Sequence, residues 1–367
     1  MIYINGRFLT QNISGAQRFG YEITKELLKN DKLKNICILV PPSKIDPAYD
    51  TTGFPLKVIG KNKGQAWEQI DLPIFLYKNG RELLVNLLNS APIAYKHQVV
   101  TILDMTTFIN PKWFKKYFVL YYKFIVPIIA RKSIKIITIS ECSKKDIIHY
   151  THVPEDKVAV VYCSVASQFN RGASDKDMVD RDKIIEDKLK ISKNNYLLTV
   201  SSLDPRKNFV SLVKAYNEIE TDVPPLVIVG SEGKVFASDE LKEIISRSKN
   251  ILLTGYVSDD ELVTLYRSAS FFIYPSLYEG FGMPPLEAMA CGCPTIVSNT
   301  SSLPEVCGDA SVYIDPYSIN SIKQGIIKLT NDANLRSQLV SLGEKQVEKF
   351  SWQRSGAKLS EIINELI

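Results

Sequence analysis

Histidine and cysteine are scarce in this chain of 367 residues, and neither follows a metal-binding or disulfide pattern. Only three histidines are available to complete a metal site, and the six cysteines have no zinc or disulfide spacing, so reduced thiols are expected. No apolar run approaches the roughly 18 residues that a membrane-spanning helix needs. No G-x-G-x-x-G follows an early strand pattern, which argues against a nicotinamide-dependent oxidoreductase.

The start of the chain lacks a basic segment followed by an apolar one, so no signal peptide is predicted. We expect a cytoplasmic protein, with peripheral association at the inner face of the plasma membrane as a further expectation. Charge is uneven: residues 1–165 hold 23 Lys and Arg against 13 Asp and Glu, a net charge of +10, and the remainder has −5. The basic half therefore suits an anionic surface or ligand, and no nucleic-acid partner is expected.

The fold class is indicated by short apolar, β-branched runs that alternate with helix-length amphipathic segments. Because these runs are apolar on both faces, they predict an α/β protein with a parallel sheet in each half. The predicted strands are Ile2–Ile4, Ile36–Val40, Leu83–Val85, Val99–Leu103, Ile134–Ile139, Val158–Val161, Tyr196–Val200, Leu226–Val229, Ile251–Thr254, Phe271–Tyr274, Thr295–Val297 and Val312–Ile314.

Length and a charged stretch predict two domains. The chain is too long for one ordinary domain, and residues 170–195 are highly charged with almost no aromatic residues. We place the domains at residues 1–168 and 195–350, with a polar linker and a first helix over residues 169–194. A cleft between two such α/β domains is where ligands usually bind.

A candidate anion site follows the predicted strand Tyr196–Val200. The segment TVSSLDPRKNF turns at an Asp-Pro pair and places Arg206 and Lys207 ahead of a helix, with Asn208 as a candidate cap. Two cations beside the free N–H groups of a helix N-terminus attract an anion, and arginine adds a bidentate donor. The alternative is a solvated basic turn.

A second candidate segment, YEGFGMPPLEAMACG (residues 278–292), holds two glutamates around a turn. Glu279 precedes the helix that the two prolines predict, and Glu287 lies within its first turn or just beyond. Gly280 and Gly282 allow the backbone to approach a ligand closely. Carboxylates repel an anion, so they would accept hydrogen bonds from hydroxyls, and a sugar joined by a diphosphate to a nucleoside fits both segments. For Glu287 alone, a capping role is the alternative.

Several motifs agree in order and spacing with one enzyme family. SLYEGFGMPPLEAMACGCPTIVSNTSSLPEVCGDA resembles the E-x7-E segment of the family 4 glycosyltransferases, retaining enzymes of GT-B fold that include bacterial surface-polysaccharide enzymes. GRFLTQNISGAQRFGYEI, VVTILDMTTFINPKWF and ITISECSKKDI are similar to the family's glycine loop, its H-D stretch and its S-x-x-S helix start. LLTVSSLDPRKNF, LVIVGSEG and LTGYVSDDELVTLYRSASFFIYPS are similar to its nucleotide-domain segments.

The resemblance spans nearly the whole chain and implies two Rossmann-like domains whose parallel sheets face each other across a cleft. The N-terminal domain, residues 1–168, would bind the acceptor, and residues 195–350 would bind the nucleotide sugar. FSWQRSGAKLSEII is similar to the family's last helix, so residues 351–367 would complete the N-terminal domain.

The resemblance also implies roles in sugar binding. Glu287 would hold the ribose hydroxyls of the nucleotide, and Glu279 would contact hydroxyls of the donor sugar. The backbone N–H groups of Phe281 and Gly282 would lie near that sugar.

Phosphate and base would be bound by the remaining candidates. Arg206 and Lys207 would bind the diphosphate, and Gly15 would bring backbone N–H groups of the other domain to it. Gly230 and Val257 would line the base pocket.

The chain departs from the family's pattern in its H-D stretch. Leu103 stands where the family has a histidine that contacts the donor sugar or the reacting centre. Asp104 beside it is a candidate catalytic residue at a strand end, and a turn-capping aspartate is an equal alternative. Cys163 and Ser164 replace the usual Asn-Gly, which we interpret as a tolerated hinge variant.

These observations predict a hexose transfer from a UDP- or GDP-linked donor to a glycan acceptor, in particular a lipid-linked oligosaccharide of O-antigen or capsule assembly. Donors aimed at the leaving diphosphate contribute roughly 3–4 kcal/mol each, so we expect no cofactor and no metal. We therefore interpret the D-x-D motifs at 175–177 and 180–182 as solvated charges and not as metal ligands. The alternatives are a glycosidase, which needs no diphosphate cradle, and a catalytically degenerate nucleotide-sugar-binding protein, which Leu103 favours.

A basic, aromatic segment suggests a membrane partner. Between Asp104 and Glu141 there is no acidic residue, whereas residues 112–135 carry seven basic ones interleaved with aromatics. An anionic bilayer attracts such a helix at roughly 1 kcal/mol per cation. The alternative is that the aromatics belong to the core and the lysines to a solvated face.

Overall fold

The computed structural model describes residues 1–172, 191–230, 239–248 and 250–367. The described chain divides into two compact units: the N-terminal unit, residues 1–163 with 351–367, and the C-terminal unit, residues 164–350. Much of the expected linker (residues 169–194) and both D-x-D strings lie outside the described residues. The domain limits drawn from the sequence therefore stay a prediction.

The N-terminal unit contains one sheet of parallel strands. Its strands are β1 (Ile2–Asn5), β2 (Ile36–Val40), β3 (Leu56–Val58), β4 (Leu83–Asn86), β5 (Gln98–Thr101), β6 (Lys135–Thr138) and β7 (Val158–Val160). They follow the order β3-β2-β1-β4-β5-β6-β7 and are parallel throughout. The six strands predicted for this half are present, and β3 was missed because Lys57 and Val58 are exposed at the edge of the sheet, where no buried apolar run is needed.

Helices cover this sheet. They are α1 (Gly15–Leu28), α2 (Gly64–Ala66), α3 (Leu72–Lys78), α4 (Thr106–Ile109), α5 (Lys116–Lys132), α6 (Glu141–Thr151) and the last helix of the chain, Trp352–Asn364. A π-helical turn, Trp67–Asp71, joins α2 to α3. The last helix packs on α1, where a β-carbon at Gly356 would lie 2.3 Å from the Glu26 side chain, so glycine permits the close approach.

The C-terminal unit repeats the parallel arrangement. Its strands are β8 (Leu197–Val200), β9 (Leu226–Val229), β10 (Ile251–Gly255), β11 (Phe271–Tyr274), β12 (Thr295–Ser298) and β13 (Ser311–Ile314), in the order β10-β9-β8-β11-β12-β13. Its described helices are α7 (Phe209–Asn217), α8 (Asp239–Ser246), α9 (Asp259–Ser268), α10 (Met283–Ala290), α11 (Leu303–Cys307), α12 (Ile319–Asn331) and α13 (Ala333–Val347). All strands predicted for this half are present.

Each sheet has one point at which its strand order reverses. In the N-terminal unit this switch point lies between β1 and β4, and in the C-terminal unit it lies between β8 and β11. The loops that leave two such strands diverge, and the crevice between them at the carboxyl edge is the usual ligand site of an open parallel sheet. Each unit thus has one position where binding residues are expected.

Candidate functional site

Two side chains of opposite charge meet at the switch point of the C-terminal unit. Lys207 follows β8 and Glu279 follows β11, and each is 7% exposed. Lys207 Nζ lies 2.6 Å from Glu279 Oε1. Arg206 approaches the other carboxylate oxygen, with 3.9 Å between its Nη1 and Glu279 Oε2. The cations expected at the diphosphate and the carboxylate expected at the sugar therefore form one cluster.

Two hydroxyl groups complete the surroundings of the Glu279 carboxylate. Tyr274 OH donates to Oε1 at 3.0 Å, and Ser276 Oγ donates to the same oxygen at 2.6 Å. Lys207 Nζ also donates to Tyr274 OH at 2.6 Å. Oε1 thus accepts three protein donors, so Oε2 is the oxygen with capacity left for a ligand. Sequence reasoning missed both hydroxyl residues, although their position at the end of a strand, in FFIYPS, was a usable signal.

Burial and charge act on the pair in opposite directions. Burial raises the pKa of Glu279, but the charges of Lys207 and Arg206 and hydrogen bonds from Lys207 and Ser276 outweigh it and lower the pKa to about 2. Burial lowers the pKa of Lys207, and the Glu279 carboxylate opposes that shift. Glu279 is therefore a carboxylate at neutral pH, and its contact with Lys207 is an ion pair.

A short 3-10 turn, Pro205–Lys207, presents the two cations. Asp204 Oδ1 accepts a hydrogen bond from Arg206 N at 2.9 Å, which fixes the start of the turn. The carbonyl of Arg206 in turn accepts from Leu277 N at 2.8 Å. The loops after β8 and β11 are thereby tied together at the switch point.

Asn208 was expected as a cap of the helix after the cations, and it does occupy the N-cap position of α7. It has a left-handed φ of 60°, however, and its side chain makes no capping bond. Its amide instead donates to the carbonyl oxygens of Pro275 at 3.2 Å and Pro316 at 2.7 Å. Two neighbouring loops thus compete successfully with the helix terminus for this side chain.

Serine side chains hold the glycine-containing loop that follows β11. Glu279 N donates to Ser301 Oγ at 3.0 Å, and Ser302 Oγ donates to the carbonyls of Glu279 at 2.9 Å and Phe281 at 2.7 Å. Gly282 has a φ of 110°, and a β-carbon there would lie 2.7 Å from a leucine of α11. The backbone of the loop is therefore fixed in a conformation that requires glycine.

Glu287 lies in the second turn of α10, just beyond the first turn, as expected. It is 9% exposed, and Tyr266 OH donates to its Oε2 at 3.4 Å. Burial and the nearby carboxylate of Glu287 raise the pKa of Tyr266, so the tyrosine keeps its proton and acts as a donor. The contact of Glu287 with ribose remains a prediction.

Gly230 follows β9, the strand beside β8, and Val257 follows β10, the next strand outward. A β-carbon at Gly230 would lie 2.2 Å from the carbonyl oxygen of Ser201, so a larger residue would displace backbone. Val257 is half-buried. Together with Lys207 and Glu279, these residues lie at the carboxyl ends of four adjacent strands, but their expected place in a base pocket stays a prediction.

Gly15 and Asp104 lie in the N-terminal unit. Gly15 is the first residue of α1, and a β-carbon there would meet no described atom within 4 Å. Asp104 Oδ1 accepts hydrogen bonds from Thr106 N at 2.9 Å and from Thr106 Oγ1 at 2.5 Å. Asp104 thus has the contacts of a turn-capping aspartate, and a catalytic role for it remains a prediction.

Comparison with known proteins decides the family. The family model for glycosyl transferases group 1 matches residues 180–346. The O-antigen chain mannosyltransferase B of Escherichia coli is 30% identical over 295 residues, which are 79% of this chain and 74% of that protein.

The chain belongs to the group 1 glycosyl transferases.

One further relative and one solved structure are similar to this glycosyltransferase. The serotype-specific mannosyltransferase WbdA of Escherichia coli is 32% identical over 225 residues, which are 59% of the glycosyltransferase and 27% of WbdA. The crystal structure of HepE from Anabaena in complex with UDP and glucose has a TM-score of 0.75 at 17% identity and covers 99% of both chains. At this identity the likeness concerns the fold, and it assigns the GT-B fold to the glycosyltransferase.

The N-terminal unit of the glycosyltransferase contains a polar cluster that sequence reasoning missed. Arg7 Nε donates to Glu68 Oε1 at 3.0 Å, and Arg7 Nη2 donates to Ser90 Oγ at 2.7 Å. Asn5 Nδ2 donates to the same Glu68 oxygen at 2.9 Å and to Asn86 Oδ1 at 3.0 Å. Asn5 and Asn86 end β1 and β4, so the cluster lies at the switch point of this sheet. Polar residues directly after two predicted strands were the available signal.

Proposed function

We propose that this glycosyltransferase is a retaining, metal-independent enzyme that moves mannose from a UDP- or GDP-linked donor to a glycan acceptor in O-antigen or capsule assembly. The sugar is inferred from the names of relatives, two of which are mannosyltransferases. The observation that carries the proposal is the cluster of Arg206, Lys207 and Glu279 at the switch point of the C-terminal unit.

The cluster fits the departure of a nucleoside diphosphate. Arg206 and Lys207 place two cations against one carboxylate, which leaves the cluster with one positive charge for the phosphate oxygens. Negative charge grows on those oxygens as the sugar–phosphate bond breaks, and fixed donors stabilise it by roughly 3–4 kcal/mol each. Held by Asp204 and by the loop after β11, these cations need no reorganisation during the reaction.

In this proposal, retention of the anomeric configuration follows from the position of the leaving diphosphate. The acceptor hydroxyl attacks the anomeric carbon from the face that the diphosphate leaves, and the phosphate oxygen accepts its proton. Glu279 keeps its charge throughout because its pKa is about 2. Its Oε2 is available to accept a hydrogen bond from a donor-sugar hydroxyl, rather than to take the proton of the acceptor.

A lipid-carried acceptor is supported by the exposed face of α5. Tyr117, Leu120 and Phe124 are 70%, 73% and 62% exposed, and their spacing by three and four residues puts them on one side of the helix. Lys116 and Lys123 are exposed on the same side. Large apolar side chains between cations suit the surface of an anionic bilayer, which the apolar residues enter while the lysines meet the headgroups.

The opposite side of α5 belongs to the core, as the alternative interpretation required. Ile125, Val126, Ile129 and Ala130 are buried, and Tyr121 and Tyr122 pack against the same apolar cluster. None of the described helices is long and apolar enough to cross a membrane. We propose that the glycosyltransferase binds an anionic membrane through residues 112–135, with the exposed face of α5 as the contact.

A donor screen tests the proposed function. Thermal shift and transfer assays with GDP-, UDP-, ADP- and dTDP-linked sugars, with and without EDTA, should give one nucleotide that stabilises the protein and whose mannoside is turned over. NMR of the product should show the anomeric configuration of the donor. Turnover abolished by EDTA, or an inverted product, would overturn the corresponding part of the proposal, and binding without turnover would support the degenerate alternative.

A further inference from the structure

Ser301 has a backbone conformation that serine rarely adopts. Its φ of 55° lies in the left-handed region, where the β-carbon of most residues crowds the following carbonyl oxygen. Among the described residues, five other non-glycine residues share this region: Asn35, Arg81, His152, Asn194 and Asn208. Three of them are asparagines and one is a histidine, types that are enriched in this conformation. The strain at Ser301 must therefore be offset by contacts that serine makes there.

The hydroxyl of Ser301 links two loops at the carboxyl edge of the C-terminal sheet. Ser301 follows β12, and its Oγ accepts a hydrogen bond at 3.0 Å from the backbone N of Glu279, which follows β11. The hydroxyl donates its own proton to the carbonyl oxygen of Thr300 at 2.7 Å. Glycine would adopt the same φ without strain but has no hydroxyl, so the link would be lost. The hydroxyl thus accounts for a serine at this position.

The residues on both sides of Ser301 bind the same stretch of backbone. Thr300 Oγ1 donates to the carbonyl oxygen of Leu277 at 3.4 Å, and Ser302 Oγ donates to that of Glu279 at 2.9 Å. Three consecutive side chains after β12 therefore hold residues 277–279. Ser301 is the one that accepts from the N–H of Glu279 itself.

The position of the Glu279 backbone decides where its carboxylate lies. Oε1 lies 2.6 Å from Lys207 Nζ and 2.6 Å from Ser276 Oγ, and Tyr274 OH is 3.0 Å away. Lys207 follows β8 and Tyr274 ends β11, so these two partners are fixed by the sheet and not by the loop. Hydrogen bonds of this length are lost when one partner moves by about 1 Å. The loop must therefore be held accurately for all three bonds to form.

We propose that Ser301 is a positioning residue for the transfer reaction, because its hydroxyl holds the Glu279 backbone where the carboxylate presents Oε2 to the donor sugar. This inference rests on the proposed function, in which Glu279 contacts a hydroxyl of that sugar. Ser301 itself touches no reacting atom. Strained residues of this kind concentrate at functional sites, where the surrounding structure fixes them.

Two substitutions separate the hydroxyl of Ser301 from its backbone. Ser301→Ala removes the hydroxyl and keeps a β-carbon at a φ of 55°, whereas Ser301→Gly removes the hydroxyl and relieves the strain. Ser301→Gly should therefore melt about 2–4 °C above Ser301→Ala. Both should lower the kcat of sugar transfer by about tenfold, the effect of one lost hydrogen bond. Affinity for a free nucleoside diphosphate should change little, because Lys207 keeps its bond to Tyr274.

The pH dependence of stability gives a measurement that needs no turnover. Burial raises the pKa of Glu279, but the charges of Lys207 and Arg206 and hydrogen bonds from Lys207 and Ser276 lower it to about 2. The resulting stabilisation is present above pH 4.5 and is lost as the pH falls toward 2. If Ser301 holds the carboxylate among these groups, both variants should raise that pKa. Their stability in urea should then fall less steeply below pH 5 than that of the parent.

Asn35 is the matched control, because it has a left-handed φ of 62° and is exposed in the N-terminal unit. Asn35→Gly should also melt above Asn35→Ala, but both should keep the turnover and the acid profile of the parent. Turnover that recovers in Ser301→Gly together with stability, or an acid profile unchanged in both Ser301 variants, would overturn the proposal. If the parent transfers no sugar, the proposed function fails, and the acid profile alone decides for or against Ser301.

Discussion

Lys207 and Glu279 are 72 positions apart in the chain, yet Nζ and Oε1 lie 2.6 Å apart because the strands that precede them are neighbours. An ion pair buried to this degree affects both the stability of the fold and the chemistry of the site. Removing one partner leaves an uncompensated charge, whereas removing both does not.

Single and double variants of the Lys207–Glu279 pair allow its effect on stability to be measured apart from its effect on activity. Lys207→Met should lower the free energy of unfolding by about 3–5 kcal/mol, because it leaves the Glu279 carboxylate buried without its closest cation. Adding Glu279→Gln should restore most of that loss in urea denaturation. Donor turnover should stay low in the single and the double variant, and recovery of turnover in the stabilised double variant would show that the pair serves only the fold.

The pKa of Glu279 predicts how stability depends on pH. The pKa falls from an ordinary 4.5 to about 2 in the folded protein, so the unfolded chain binds the proton first as the pH is lowered. The stabilisation is present above pH 4.5 and is lost as the pH falls toward 2, by roughly 3 kcal/mol in total. Urea denaturation below pH 5 should therefore show a steeper loss in the parent than in Glu279→Gln, and parallel curves would contradict the assignment.

Glu287 should act through the ribose of the donor. Glu287→Ala should reduce kcat/KM by about 10–100-fold, the effect of one or two hydrogen bonds to a charged group. For the parent protein, a donor that lacks the ribose hydroxyls should give a kcat/KM that is lower by a similar factor. For the variant, the same change of donor should lower kcat/KM little further. Additive losses would mean that Glu287 acts elsewhere, and circular dichroism checks that the variant is folded.

Two glycines give a matched test of backbone approach. Gly230→Ala should lower stability by about 1–3 kcal/mol, because the new β-carbon would meet the Ser201 carbonyl oxygen at 2.2 Å. Gly15→Ala meets no described atom within 4 Å at the start of α1, so its stability should be unchanged or raised by about 0.5 kcal/mol. Gly15→Ala should nevertheless weaken donor turnover if its backbone approaches the phosphate, and unchanged kcat/KM would exclude that role.

Membrane binding should depend on both components of the exposed face of α5. Leu120→Ser with Phe124→Ser should reduce binding to vesicles of anionic phospholipid, and Lys116→Glu with Lys123→Glu should reduce it further at low salt. Tyr317→Ser is the control, because Tyr317 is as exposed as Leu120, at 73%, but lies in the other unit. Equal binding by all variants in sedimentation assays would remove the membrane contact, and none of these changes should alter nucleotide affinity.

The sequence was sufficient for most of the fold because buried parallel strands are continuous apolar runs. It failed at β3, where exposed Lys57 and Val58 leave no such run. It also failed for the side chain of Asn208, since an asparagine before a helix predicts a side-chain capping bond, but the competing carbonyls of Pro275 and Pro316 are distant in the chain.

The candidate site was only partly predictable for a related reason. Lys207 and Glu279 were each selected from local motifs, but their contact depends on which strands are neighbours. Arg7 and Glu68 were missed altogether because the arginine follows a strand by two residues whereas its partner lies in a π-helical turn far along the chain. No local pattern connects such residues, which are 61 positions apart in the chain.

The three donors at Glu279 Oε1 also have a consequence for the thermodynamics of ligand binding. A free glutamate loses rotamer freedom when a ligand fixes it, at a cost of up to about 2 kcal/mol. Here Lys207, Tyr274 and Ser276 impose that order before any ligand arrives, so the loss belongs to folding. A sugar that reaches Oε2 therefore meets a carboxylate whose orientation is already set, and epimers that present a hydroxyl in another direction cannot draw the side chain toward them.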